Sequence, residues 1–196
     1  MNKRVEFFFD IRSPYSYLAF TQLREMTAEI VLRPMNVLAV MGEVGNVPTT
    51  ITCAAKGRYA RMDLFRWTQL YGVTLNPSDV QTTDGDACAR AVLAASSPAE
   101  GSEVTLALFR ACWSEATALT NTADILAVLE AAGINAKGIG ERIDAPDVVA
   151  QLDANNSEAA KRDVFGAPTM FVGDAMFFGN DRIEFVRNEL ARLSDG

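Results

Sequence analysis

The chain has 196 residues, of which 49% are hydrophobic, with a net charge of −7 at pH 7 and a pI near 4.7. This length and apolar content suffice for one packed domain with room for an insertion. The negative charge argues against nucleic acid or an anionic membrane surface as a partner, because both would be repelled. We expect no membrane span and no signal peptide, because the longest apolar runs are short and the first is broken by Glu6 and Asp10.

The N-terminal segment predicts a βαβ unit. Residues 5–9 form a short, aromatic-rich apolar run that is typical of a buried strand. Ser13 and Pro14 begin a helix in the favoured way, with serine as N-cap and proline at the first helical position. Residues 29–34 read as a second strand, so the unit implies two parallel strands joined by a right-handed crossover.

From about residue 38 to residue 162 the apolar spacing is helical. N-cap candidates are Asp84, Ser102 and Asn121, and turn signals such as Ser97-Pro98 separate the helices without a Ser/Gly-rich linker. The predicted helices cover residues 58–71, 85–95, 103–118, 122–132, 138–143 and 146–161. We therefore expect a packed helical domain here.

The C-terminal part predicts a hairpin and a last helix. Two apolar runs on either side of Gly173-Asp174 give a strong hairpin signal, and a helix follows to about Leu193. The fold class is therefore α/β: a thioredoxin-like βαβ…ββα fold with a helical domain inserted after the first βαβ unit. The predicted domains are residues 1–37 with 163–196 (thioredoxin-like) and residues 38–162 (α-helical).

Histidine is absent, and the three cysteines, Cys53, Cys88 and Cys112, lie far apart in the sequence. Without histidine, the chain lacks the usual base of a Ser-His-Asp triad and the commonest metal ligand. Three scattered cysteines fit neither a disulfide framework nor a metal site. We expect no metal, a reducing cytoplasmic location and catalysis without a histidine base.

The turn between the first strand and the first helix, Ser13-Pro14-Tyr15-Ser16, carries serines where a thioredoxin-type protein has a C-x-x-C pair. A helix N-terminus stabilises a thiolate, whereas a hydroxyl there can only donate a hydrogen bond to a thiolate of another molecule. The pattern indicates sulfur chemistry in which the sulfur arrives with a ligand. Helix capping alone is the structural alternative for Ser13, and Ser16 reads as a capping or packing residue.

A second signal is Gly166-Ala167-Pro168, directly before a strand. Thioredoxin-like proteins hold a cis-proline there, facing the helix N-terminus, although only about 5–6% of X-Pro bonds are cis in general. A cis bond would turn the Ala167 backbone outward, where it can pair with an extended peptide. The sequence leaves the isomer open.

Two further segments each have two interpretations. In Gly179-Asn180-Asp181-Arg182, Asp181 is either the N-cap of the last helix or part of an α-amino acid site, taking an ammonium while helix N–H groups take a carboxylate. Lys56 lies just before a predicted helix, where an anion-binding loop would be placed. The dense basic cluster is otherwise a solvated helix face; it comprises Lys56, Arg58, Arg61 and Arg66.

Seven segments carry a resemblance to a known family: Ser13-Pro14-Tyr15-Ser16, Arg33-Pro34, Gly45-Asn46-Val47-Pro48, Lys56-Gly57-x-Tyr59, Asp63-Leu64, Phe165-Gly166-Ala167-Pro168 and Phe177-Phe178-Gly179-Asn180-Asp181-Arg182. In this order they resemble the 2-hydroxychromene-2-carboxylate isomerases, which belong to the DsbA-like family alongside the kappa-class glutathione transferases. Thr49 and Phe178 depart from the family pattern, at positions where many relatives have proline and tryptophan.

The resemblance implies a glutathione-dependent isomerase that interconverts 2-hydroxychromene-2-carboxylate and trans-o-hydroxybenzylidenepyruvate-type compounds in aromatic degradation. Ser13 matches the catalytic serine, Ala167 the backbone that pairs with the cysteinyl residue, and Asn180 and Asp181 the positions that hold the γ-glutamyl end. The implied glutathione-binding residues are Ser13, Asn46, Lys56, Ala167, Pro168, Asn180 and Asp181. A homodimer is implied as well.

A free thiol has a pKa of about 8.5, so a site must lower it to make a nucleophile at neutral pH. The Ser13 hydroxyl and the helix N-terminus are suited to that. The thiolate would add to the conjugated double bond of a small aromatic 2-oxo acid; rotation and expulsion of the thiol then give the other isomer. Lys56 is the first candidate to meet the substrate carboxylate and the enolate, Arg58 the second, and Tyr59 completes the substrate-binding set.

Two other functions stay open: a kappa-like transferase or peroxidase, which consumes glutathione, and a non-catalytic glutathione-binding member of the fold. The missing C-x-x-C pair disfavours a disulfide oxidoreductase. Trp67, Tyr59, Phe65 and Met41 are either pocket lining or core.

Overall fold

A mixed four-stranded sheet, ordered β2-β1-β3-β4, forms the centre of the protein in a computed structural model that describes residues 3–193. The strands are β1 (Arg4–Phe9), β2 (Glu29–Pro34), β3 (Thr169–Val172) and β4 (Ala175–Phe178). Strand β1 runs parallel to β2 and antiparallel to β3, which pairs antiparallel with β4. The structure confirms the predicted parallel pair and the C-terminal hairpin.

Helices surround this sheet and make up most of the chain. They are α1 (Pro14–Leu23), α2 (Val37–Glu43), α3 (Thr49–Thr52), α4 (Ala54–Tyr71), α5 (Gly85–Leu93), α6 (Pro98–Trp113), α7 (Thr122–Ala131), α8 (Ala136–Arg142), α9 (Pro146–Lys161) and α10 (Ile183–Arg192), with 3₁₀ turns at Val80–Thr82 and Asn180–Arg182. None of the helices described at residues 3–193 is long and apolar enough to cross a membrane.

Side chains of β1 alternate between two apolar layers, as expected of a central strand. Phe7 and Phe9 belong to the larger core, and their rings stack with centroids 4.8 Å apart. Phe8 points to the other face, where it packs against Phe171 in a smaller core under α2 and α9. Both faces of β1 are buried, which explains its nearly uninterrupted aromatic sequence.

The inserted helices share the larger core with the sheet. Phe109 of α6 lies 5.7 Å from Phe9 of β1 and 5.7 Å from Tyr17 of α1, measured between ring centroids. The fold is thioredoxin-like, as predicted, and the insertion packs directly on α1. The domain boundaries themselves stay a prediction, and their outer limits, residues 1 and 196, lie outside the described residues.

Three predicted helix starts are wrong, by two to five residues. Helix α4 begins at Ala54, because alanines at 54 and 55 are strong helix formers that extend it toward the N-terminus. Helix α6 begins at Pro98, because Ser97, and not Ser102, is its N-cap: its Oγ accepts the Glu100 N–H at 3.2 Å. Helix α8 begins at Ala136, behind the N-cap Asn135. The other two N-cap predictions, Asp84 and Asn121, are confirmed.

Candidate functional site

Ser13 caps the N-terminus of α1 at the end of β1. Its Oγ accepts the Ser16 N–H at 3.2 Å, and Pro14 occupies the first turn of the helix. The same hydroxyl donates to the carbonyl oxygen of Ala167 at 3.3 Å. Ser13 is only 9% exposed, so its hydroxyl lies nearly buried between α1 and the segment before β3.

A network of polar side chains holds the turn that carries Ser13. The buried carboxylate of Asp10 receives two hydrogen bonds from the guanidinium of Arg12, at 3.0 and 2.7 Å, and one from the Val37 N–H at 3.0 Å. Arg12 also donates to Asn36, which caps α2. The network joins the ends of β1 and β2, so the Ser13 turn is rigidly supported.

The Ala167-Pro168 peptide bond is cis, which answers the question that the sequence left open. The carbonyl oxygen of Ala167 accepts a hydrogen bond from the Ser13 hydroxyl, while the Ala167 N–H has no acceptor within residues 3–193. Just before it, Gly166 lies against the ring of Phe178, which an added Cβ would approach to 2.8 Å. The loop therefore presents one free backbone donor beside the Ser13 hydroxyl.

Asn46 joins this loop from the other side. Its Nδ2 donates to the carbonyl oxygen of Phe165 at 2.6 Å, and its Oδ1 accepts the Val47 N–H at 2.8 Å. The Phe165 ring packs on Phe178, with centroids 4.5 Å apart. Asn46 is itself exposed, so it links the segment after α2 to the cis-proline loop at the protein surface.

Asn180 and Asp181 lie in the 3₁₀ turn that precedes α10. Asn180 is buried; its carbonyl oxygen accepts the Tyr71 hydroxyl at 3.1 Å, while its side-chain nitrogen has no acceptor within the described chain. Asp181 is exposed and pairs with Arg182. The N-cap interpretation of Asp181 is wrong: α10 begins at Ile183 without a side-chain cap, because the 3₁₀ turn intervenes.

Lys56, Arg58 and Tyr59 are exposed along the first turns of α4. The prediction that Lys56 lies in an anion-binding loop before the helix is wrong. Helix α4 begins at Ala54, so Lys56 is in its first turn. None of the four basic residues of this cluster forms an ion pair within residues 3–193. The structure records no direct contact between these side chains and Ser13.

Asp63, in the middle of α4, does contact the N-terminal turn of α1. Its Oδ2 accepts the Tyr15 hydroxyl and the Trp67 Nε1–H, each at 3.2 Å. Burial raises the pKa of Tyr15, and the Asp63 carboxylate raises it further, with smaller contributions from Tyr59 and Asp181. Sequence reasoning assigned no role to Asp63 or Tyr15; the Asp63-Leu64 and Ser-Pro-Tyr-Ser motifs were the available signals.

Two other residues were candidates for the lining of the substrate pocket. Met41 belongs to the buried core, and Phe65 is 63% exposed on α4.

Cys53 caps α4, where the Lys56 N–H lowers the pKa of its thiol. The three cysteines are free, and no group of three or more His, Cys, Asp or Glu residues suited to a metal occurs within residues 3–193.

The whole described fold matches known proteins. The DSBA-like thioredoxin domain matches residues 4–191. The chain is 29% identical to a 2-hydroxychromene-2-carboxylate isomerase of Pseudomonas putida, covering 96% of this chain and 95% of that one. It is 30% identical to human glutathione S-transferase kappa 1, covering 96% and 91%. A solved 2-hydroxychromene-2-carboxylate isomerase superposes with a TM-score of 0.86 at 29% identity, covering 97% and 96%. The chain therefore belongs to the DsbA-like thioredoxin-domain family and resembles, within it, the 2-hydroxychromene-2-carboxylate isomerases.

Proposed function

We propose that this protein is a glutathione-dependent isomerase that interconverts 2-hydroxychromene-2-carboxylate and trans-o-hydroxybenzylidenepyruvate-type compounds. One observation carries the proposal: a hydroxyl, and not a C-x-x-C thiol pair, stands at the N-terminus of α1 beside the cis-proline loop. Such a site can stabilise a thiolate but holds none of its own. The identity to named isomerases over nearly the full chain supports the reaction class.

The polar groups around Ser13 and before α10 match the charged and hydrogen-bonding groups of glutathione. The Ser13 hydroxyl and the N-terminus of α1 suit a thiolate. The unpaired Ala167 N–H suits the carbonyl of a cysteinyl residue, and the unsatisfied nitrogen of Asn180 suits a carboxylate oxygen. The carboxylate of Asp181 lies at the surface, where it pairs with Arg182 and keeps further lone pairs that suit an ammonium group.

When bound, glutathione supplies a thiolate that adds reversibly to the conjugated double bond, so that the thiol returns unchanged after bond rotation. The protein's own part is positional and electrostatic. Ser13 turns its proton from the Ala167 carbonyl to the sulfur and keeps the thiol ionised. Lys56, with Arg58 and Tyr59 along α4, meets the substrate carboxylate and the negative charge that develops on the 2-oxo group.

The test is an ultraviolet spectrum of trans-o-hydroxybenzylidenepyruvate with the protein, recorded with and without glutathione, together with a count of free thiol. Isomerisation that requires glutathione and leaves the thiol count constant is expected. Loss of thiol would instead favour the kappa-class transferase activity suggested by the human relative. No spectral change with glutathione present would leave a binding role and overturn the isomerase.

We also propose a homodimer, as the resemblance implies. The outer side of α4, away from Asp63, supports it, because Met62 and Phe65 are each more than half exposed there. Large apolar side chains grouped on one helix face are typical of an association surface. The cytoplasmic location stays a prediction from the unpaired cysteines.

A further inference from the structure

Two side-chain hydrogen bonds join helix α4 to neighbouring elements of the site, one from the middle of the helix and one from its C-terminal residue. Asp63 bonds to Tyr15 in the first turn of α1, and Tyr71 donates to the carbonyl oxygen of Asn180. Trp67 lies between these two contacts: it donates to Asp63 and packs on Tyr71, with ring centroids 5.3 Å apart. A short row of polar contacts therefore joins α4 to α1 and to the 3₁₀ turn before α10, beside the buried α4 residues Leu64 and Thr68.

The Asp63 carboxylate meets neutral hydrogen-bond donors and no cation. It is only partly exposed, and no Lys or Arg pairs with it within residues 3–193, although four cations lie on the same helix. Two neutral donors, Tyr15 and Trp67, share one of its oxygens. Its two hydrogen bonds therefore join the middle of α4 to the first turn of α1 and to the next turn of α4 itself.

Helical geometry connects Asp63 to Lys56. Seven residues correspond to about two turns, so the two side chains leave α4 within about 20° of the same direction and about 10 Å apart along the axis. Tyr59, between them, lies near enough to Tyr15 to affect its ionisation. The stretch of α4 from Lys56 to Asp63 thus runs along the N-terminal turn of α1, which Ser13 caps.

We propose that Asp63 is a positioning residue: through its hydrogen bonds to Tyr15 and Trp67, it sets the placement of α4 on α1 and so the position of Lys56 relative to Ser13. The Tyr15 proton is engaged by Asp63, so Tyr15 acts as the anchor on α1 and not as a proton donor to substrate. The proposal rests on the proposed function insofar as Lys56 meets the substrate anion.

The kinetic test compares Asp63→Ala with Asp63→Asn, which keeps an oxygen acceptor for both donors. Asp63→Ala should raise the KM for the 2-oxo acid and lower kcat, because Lys56 meets both the substrate carboxylate and the developing negative charge. The combined loss in kcat/KM should be about 10-fold, and Asp63→Asn should restore most of it. In the Asp63→Ala background, Lys56→Ala should add less than about 2-fold, because the two losses share one cause. Additive losses, or a fall in thermal stability with KM unchanged, would overturn the proposal.

A second test needs neither glutathione nor substrate. In a protein carrying Cys53→Ser and Ser13→Cys, thiolate absorbance reports the charge around position 13. Adding Lys56→Ala should raise the pKa of the thiol introduced at that position when Asp63 is present and leave it unchanged when Asp63→Ala is also present. Equal shifts in both backgrounds, or none in either, would contradict the proposal.

The control is Asp124→Asn, which removes a carboxylate that accepts hydrogen bonds from Thr120 and Asn121 at the start of α7. It should lower stability without moving KM or the pKa of the introduced thiol. If the wild-type protein shows no glutathione-dependent isomerisation, the proposed function fails, and the thiol titration alone decides the role of Asp63.

Discussion

The Ser13 hydroxyl donates to the carbonyl oxygen of Ala167 at 3.3 Å, although 154 residues separate the two in the chain. The bond joins the N-terminus of α1 to the cis-proline loop. The Ser13 hydroxyl proton, which would stabilise a ligand thiolate, is therefore already used in a hydrogen bond within the protein. A bound thiolate would therefore take the place of the Ala167 carbonyl as the acceptor of this hydrogen bond.

Replacing Ser13 by alanine should lower glutathione-dependent isomerisation by about 100-fold, because one preorganised donor to the thiolate is lost. The apparent pKa of bound glutathione, followed by thiolate absorbance, should rise in the same variant. Ser16→Ala is the matched control: the Ser16 hydroxyl is buried without a partner within the described chain, so its removal should leave the rate unchanged. An unchanged rate in Ser13→Ala would contradict the role given to Ser13.

The ion pairs of Glu6 should make the folding stability of the protein fall in acid. Burial raises the pKa of Glu6, but hydrogen bonds from Arg162 and Arg33 outweigh it and lower the pKa below its usual value. The folded state then binds fewer protons than the unfolded state, so this stabilisation is present above the unfolded pKa and is lost as pH falls through the folded one.

Urea unfolding of Glu6→Gln at pH 7 and at about pH 3 measures this linkage. The variant should be less stable at pH 7, and its free energy of unfolding should change less on acidification than that of the wild type. The exposed Glu43 has no ion pair within residues 3–193, so Glu43→Gln should keep the wild-type pH dependence. Equal pH dependence in Glu6→Gln and wild type would count against the linkage.

The three thiols should differ sharply in reactivity. The pKa of Cys53 is lowered by the Lys56 N–H, whereas burial raises the pKa values of Cys88 and Cys112. Native protein treated with iodoacetamide at pH 7 should therefore carry the label on Cys53 first, as peptide mass spectrometry can show. Labelling should reach its plateau at a lower pH for Cys53 than for a free thiol. Labelling of Cys88 at the same rate in native protein would contradict this order.

The outer face of α4 should govern self-association. Met62 is 55% exposed and Phe65 is 63% exposed, so a charge at either position would meet an apolar partner surface in a dimer. Sedimentation of the wild type should give a dimer, and Met62→Glu or Phe65→Glu should shift it toward monomer. Val149→Glu, at an exposed position of α9, is the control and should leave the dimer intact. A dimer that persists in both α4 variants would place the interface elsewhere.

Much of the fold could be predicted from local sequence because local chemistry determines it. The aromatic run of β1, the Gly173-Asp174 turn and the Ser13-Pro14 cap each act within a few residues, and each appears in the structure as expected. Errors arose where local signals competed. Alanines extended α4 past its predicted start, and a 3₁₀ turn displaced Asp181 from the cap of α10.

The sequence by itself determined the substitution of serine for a thiol at the head of α1 and the order of elements around it. Tertiary structure alone decided the cis state of Ala167-Pro168, the bond from Ser13 to Ala167 and the link from Asp63 to Tyr15. The physical reason is separation along the chain. A cap or a hairpin turn is stabilised by neighbouring residues, whereas these contacts depend on how α1, α4 and β3 pack on one shared core.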